Sequence, residues 1–88
     1  HIPTNDARVL RGGTAYQTDA GMCGDYDSVI GMNKNNSINR FLKKKSTKHF
    51  PAIGESSLCG VIVECDIETG LAKKIDNFIY GGELKNSY

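Results

Sequence analysis

Apolar positions fall in short broken runs through the first third of the chain and in two long runs near its end, and that contrast predicts the order of elements. Val9–Leu10 and Thr14–Thr18 are short stretches rich in β-branched, aromatic or aliphatic residues on either side of Gly12-Gly13, so both read as extended. A glycine-bearing loop follows at Gly21–Gly24, and SVIGM at Ser28–Met32 reads as a short buried segment. Asn33 then offers a side-chain oxygen to cap a helix whose apolar positions Ile38, Phe41 and Leu42 have i, i+3, i+4 spacing. The helix is expected to end in the lysine run Lys43–Lys48, where positive charge suits the negative end of the helix dipole. Phe50–Ile53 reads as a short strand. The clearest signal comes last: LCGVIVECD and LAKKIDNFIY flank IETG, and Gly70 can take the positive φ that such a hairpin loop requires. The pattern predicts an α+β chain with one helix and a C-terminal antiparallel hairpin of Leu58–Asp66 with Leu71–Tyr80.

Composition narrows the class. Eighty-eight residues make one domain at most, with a thin core. At 39% hydrophobic and 24% charged residues the chain is too apolar for a disordered segment. Eleven Lys and Arg against ten Asp and Glu leave a net charge of +1, which gives no strong nucleic-acid or anionic-membrane signal. No apolar run reaches the ~20 residues of a membrane span, and no charged-then-apolar leader is present. Cys23, Cys59 and Cys65 are odd in number and lack CxxC spacing. Cys59 and Cys65 sit six apart on one expected strand, roughly 20 Å at ~3.3 Å per residue, too far to bridge. Reduced thiols and a cytoplasmic location are the expectation.

Residue spacing alone assembles no catalytic set. Gly12-Gly13-Thr14 could present backbone N–H groups to a phosphate, but it lacks both the P-loop and the dinucleotide-loop patterns, and a turn is the plainer reading. Asp25 and Asp27, with Asp19 nearby, fit no EF-hand spacing and read as turn formers. Arg8 and Arg11 read as hydrated surface arginines and His49 as a surface histidine.

A longer string is more specific. Pro3-Thr4-Asn5-Asp6, Leu10-Arg11-Gly12-Gly13-Thr14-Ala15-Tyr16, Thr18-Asp19, Gly21-Met22 and Tyr26-Asp27-Ser28-Val29-Ile30-Gly31-Met32 together resemble the C-terminal third of the YmdB-like metallophosphoesterases, bacterial enzymes of the calcineurin-like superfamily. The likeness runs on through Asn39-Arg40-Phe41-Leu42 and Leu58-Cys59-Gly60-Val61 to Glu68-Thr69-Gly70. Two departures stand out: Arg11 replaces the proline usual before Gly-Gly, where it either adds phosphate affinity or, the plainer expectation, loosens the loop, and Asn5 stands where alanine is common.

The resemblance implies that the chain is the β-rich C-terminal part of a four-layer α/β/β/α sandwich. It also implies that His1 is the last histidine of a G-T-H-T-H segment and a ligand of a two-metal centre of Fe, Mn or Zn. Such a centre binds the oxygens of a phosphodiester and lowers the pKa of a bridging water. The implied substrates are 2′,3′-cyclic nucleotides or related phosphodiesters. His1 is expected at the rim of a cleft, with Gly12-Gly13-Thr14 beside or supporting it; Thr4, Asn5 and Thr14 are expected to line the substrate side, and His49, Asp25 and Asp27 to be remote. The remaining ligands and the catalytic histidine would lie before residue 1, so this chain holds no catalytic residue of its own and is expected to be a fragment. A second function class stays open, a non-catalytic β-rich interaction or homo-oligomerisation module with an exposed sheet edge.

Overall fold

The computed structural model describes residues 1–42 and 48–84. Its elements follow the order β1 (Arg8–Val9), β2 (Ala15–Tyr16), α1 (Lys34–Phe41), β3 (Leu58–Cys65) and β4 (Ala72–Tyr80), an α+β arrangement with two antiparallel ribbons. β3 and β4 pair with Leu58 opposite Tyr80, Cys59 opposite Ile79 and Val63 opposite Ile75, with a register shift at Glu64/Cys65. The loop between them closes as expected. Asp66 Oδ1 accepts from the backbone of Glu68 and Thr69 at 2.9 and 3.0 Å, Gly70 N–H donates to Asp66 O at 2.8 Å, and Gly70 has φ 75°. An aspartate that caps its own turn in this way fixes the register of both strands.

The helix begins where its cap predicts: Asn33 Oδ1 accepts from Asn36 N–H at 3.0 Å. Its apolar stripe does not reach a core, since Ile38, Phe41 and Leu42 are all exposed. The lysines expected at its end fall mostly outside the described residues, at positions 43–47. Two other expectations are corrected. Ser28–Met32 is a tight turn rather than a buried segment, with Val29 and Ile30 exposed, because its backbone bonds are satisfied within the turn. Phe50–Ile53 contributes one isolated bridge, Pro51 to Met32, because the groups that would extend the ladder are engaged elsewhere: Asn33 O accepts from Ser37 N–H in the helix and Gly31 N–H donates to Ser28 Oγ.

The N-terminal segment runs along one face of β4. Gly13 O accepts from Ala72 N–H at 2.8 Å near the tip of the hairpin, and Asn77 Nδ2 donates to Thr4 O at 3.4 Å further along. This face carries Cys59, Val61, Val63, Ile75, Asn77 and Ile79. Cys59 is the buried apolar residue among those described, beside the buried polar Asp25 and Ser57. The opposite face presents Leu58, Ile62 and Tyr80, each about half exposed or more.

Candidate functional site

The loop that carries His1 is held by two hydroxyl–carboxylate pairs that meet from distant parts of the sequence. Thr4 Oγ1 donates to Asp6 Oδ1 at 2.6 Å and accepts from Asp19 N–H at 3.0 Å, while Thr4 N–H donates to Asp19 O at 2.9 Å. Asp6 in turn accepts from the Thr18 backbone at 3.1 Å and from the Thr18 hydroxyl. Asp19 Oδ2 accepts from the backbone nitrogens of His1 and Ile2 at 2.8 and 3.3 Å, and its Oδ1 accepts from Gly21 N–H at 2.8 Å. Gln17 Nε2 bridges the carbonyls of Thr4 and Asp19. Asp19 therefore fixes the main chain on both sides of the first peptide bonds, which sets the direction in which the exposed His1 imidazole leaves the fold.

Electrostatics follow from these bonds. The Thr18 hydroxyl, then the Thr4 hydroxyl and the Thr18 N–H, pull the Asp6 carboxyl down to about 2. The terminal amino group that this 88-residue chain carries at His1, then the Gly21 N–H, hold the Asp19 carboxyl below its usual range. Both carboxylates are thus acceptors at neutral pH.

Tyr26 ties this loop to the sheet. Its hydroxyl accepts from Met22 N–H at 2.7 Å, is within 2.9 Å of Met22 O and 3.3 Å of His1 O, and lies 3.3 Å from Cys59 Sγ on β3. Burial, then the neighbouring Cys59 thiol, push the Tyr26 phenol up to about 12, so it remains a neutral hydrogen-bonding group. Gly21 makes the approach possible. It has φ 95°, and a Cβ there would lie 2.9 Å from both the Cys59 and Pro3 Cβ atoms. His1, Ile2, Met22, Tyr26, Val29 and Ile30 border a concavity of about 340 Å³, with Ser28 also in its wall.

His1 borders this concavity, and the glycine turn docks at the tip of the hairpin. Gly13 packs against Leu71, whose side chain comes within 3.0 Å of a Cβ built on the glycine, and it bonds Ala72. Thr4 is anchored at Asn77, five residues further along β4, roughly 16 Å away at ~3.3 Å per residue. The glycine turn and Thr4 therefore dock at different points of one strand. The turn itself closes with Arg11 inside it, through Leu10 N–H to Thr14 O at 2.8 Å and Gly13 N–H to Leu10 O at 2.9 Å. Thr4 directs its hydroxyl into the aspartate network, and Asn5 is exposed at the bend beside it. Asp25 is buried and spends its oxygens on Asp27 N–H and Gly54 N–H; Asp27 pairs with Lys34 at 2.9 Å. His49 is exposed.

Sequence reasoning did not pick out Thr18, Asp19 or Tyr26 as positioning residues. The available signal was the pair of matching two-oxygen patterns, Thr4-x-Asp6 and Thr18-Asp19, each able to satisfy the other. Among the described residues no three His, Cys, Asp or Glu side chains cluster closely enough to hold a metal ion. Among the described residues no helix is long and apolar enough to cross a membrane.

What this chain contributes is a histidine loop braced by hydroxyl–carboxylate bonds beside a β ribbon. Residues 1–78 match the family described as YmdB-like protein, and the chain belongs to that family. It is 39% identical over 79 residues to the 2′,3′-cyclic-nucleotide 2′-phosphodiesterase of Bacillus subtilis, an alignment covering 90% of this chain and 30% of that protein. A crystal structure of a phosphatase from Mycoplasma pneumoniae superposes with a TM-score of 0.81 at 34% identity, covering 92% of this chain and 29% of that one. A hypothetical protein from Thermus thermophilus gives a TM-score of 0.79 at 33% identity, covering 93% and 32%. The chain spans less than a third of the length of these relatives.

Proposed function

We propose that this chain works as the C-terminal part of a metal-dependent phosphodiesterase that hydrolyses 2′,3′-cyclic nucleotides or related phosphodiesters. The observation that carries the reading is the placement of His1: an exposed imidazole at the edge of a concavity, with its main chain clamped by Asp19, in a chain 39% identical to a cyclic-nucleotide phosphodiesterase. Two divalent ions, Fe, Mn or Zn, held by His1 together with donors from the rest of the polypeptide, would supply Lewis-acid activation of the phosphodiester and a water of lowered pKa. This chain's own residues do the positioning. Asp19 and Tyr26 orient the His1 main chain, and Thr4, Asp6 and Thr18 brace the loop behind it. Asn5, exposed at the bend beside Thr4, stays as the candidate substrate-side polar residue; Thr4 gives its hydroxyl to the aspartate network, and Thr14 sits where the glycine turn docks at the hairpin tip.

The open faces support the rest. Ile38, Phe41 and Leu42 on the helix, and Leu58, Ile62 and Tyr80 on the hairpin, are the surfaces that the remaining layers of a four-layer sandwich would cover. The same surfaces could serve a homo-oligomer, and reduced cysteines fit a cytoplasmic enzyme. The test is turnover of a 2′,3′-cyclic nucleotide with Mn²⁺ by the intact polypeptide and by the pure 88-residue chain. Activity in the first and none in the second is expected; turnover by the short chain alone, or none by the intact polypeptide, would overturn the reading.

A further inference from the structure

Among the described residues Ile30 is the non-glycine residue with a positive φ, at 44°. Val29 and Met32 exchange both backbone hydrogen bonds at 2.9 Å, which closes a two-residue loop whose central residues, Ile30 and Gly31, have φ 44° and 92°. Loops of this kind favour Asn-Gly, because asparagine tolerates the left-handed region that crowds a β-branched side chain. Isoleucine there costs on the order of 1–2 kcal/mol of backbone strain. Nor does burial offset that cost within this chain, since Ile30 is 58% exposed. A strained apolar residue held open to solvent at a turn tip calls for a contact outside the turn.

The turn forms one wall of the concavity that His1 borders. Its other walls, Ile2, Met22 and Val29, are apolar, and its hydroxyls are engaged internally. Ser28 Oγ donates to Asp25 O and accepts from Gly31 N–H, and the Tyr26 hydroxyl is taken by Met22, His1 and Cys59. The surface therefore offers contact area and few hydrogen bonds. At about 340 Å³ the space suits a flat heteroaromatic ring with part of its sugar.

We propose that this concavity takes the base of a nucleoside phosphodiester whose phosphate faces His1, with Ile30 as the specificity-determining wall. The inference rests on the phosphodiesterase reading and adds the substrate's second anchor to it. Because the wall presents area rather than base-edge donors and acceptors, it distinguishes substrates by the size and stacking surface of the base: purines are preferred to pyrimidines, and adenine and guanine are treated alike.

The test is Ile30→Asn in the intact polypeptide, assayed with 2′,3′-cyclic AMP and with a base-free methyl riboside 2,3-cyclic phosphate. Asn-Gly is the pair this turn favours, so the variant should unfold no earlier than the parent; Ile30→Gly, which removes the same wall without strain, serves as the second variant. Both are expected to raise KM for cyclic AMP about tenfold, the loss expected for roughly 50 Å² of apolar contact. The turnover number should change by less than about twofold, as for a contact made equally in ground and transition states. Activity on the base-free substrate should not change. An unmoved KM for cyclic AMP, or an equal rise on the base-free substrate, would overturn the inference while leaving the phosphodiesterase reading intact. Failure of the unsubstituted polypeptide to hydrolyse either substrate would overturn both.

Discussion

Thr4 and Asp6 meet Thr18 and Asp19 across more than ten residues of intervening chain, and in doing so they decide where His1 stands. Each carboxylate accepts both a hydroxyl or amino proton and a backbone N–H, an arrangement that favours the ionised form. The pH dependence follows with a definite sign. Asp6 is depressed from 3.8 to about 2, so its contribution is fully present above the unfolded value and is lost as pH falls from about 4 toward 2. In amide exchange on the intact polypeptide, the protection factor of Thr18 N–H should drop through that interval, and Asp6→Asn should flatten the drop. A pH-independent protection factor in the parent would contradict this role. These residues were present in the motif that pointed to the family, but their partnership was not legible. A hydroxyl and a carboxylate two residues apart read equally well as a local turn, and only the docking of the two loops makes them a clamp.

The elements record the same division between what is local and what is not. The hairpin and the Asn33 cap were legible because alternation, a turn glycine and a capping oxygen act within a few residues of themselves. SVIGM was misread as buried because apolar residues in a tight turn look like a strand until the φ angles are known. The distance between the glycine turn and Thr4 was not legible either, since it depends on where Gly13 and Thr4 dock along β4. Gly21 is the position where element packing and site meet. Gly21→Ala places a Cβ against Pro3 and Cys59 at 2.9 Å and demands a left-handed alanine. A loss of about 2–4 kcal/mol in unfolding free energy is expected from overpacking and backbone strain together. The loop should also swing off β3, which would be read as lowered affinity for metal in the intact polypeptide. Wild-type stability in this variant would show that the His1 loop is not seated on Cys59.

At the scale of the whole molecule the chain is drawn out, 57 × 23 × 18 Å, with a radius of gyration of 17.2 Å where a compact chain of this length would have about 12 Å. Among the described residues one apolar side chain is buried and two apolar faces are open, a thin core for a chain of this length that suits the role proposed above. In that role the chain's chemical contribution converges on a single imidazole, carried by a loop that Thr4, Asp6, Thr18, Asp19 and Tyr26 brace. The most direct measurement is metal content and cyclic-nucleotide turnover of the intact polypeptide carrying His1→Ala, beside His49→Ala. Loss of a direct ligand should cost at least as much as loss of a residue that only supports one. His1→Ala is therefore expected to bind less than the parent's metal and to lose on the order of 100-fold in turnover, with His49→Ala at parental levels. Equal metal content and turnover in the His1 variant would contradict the account.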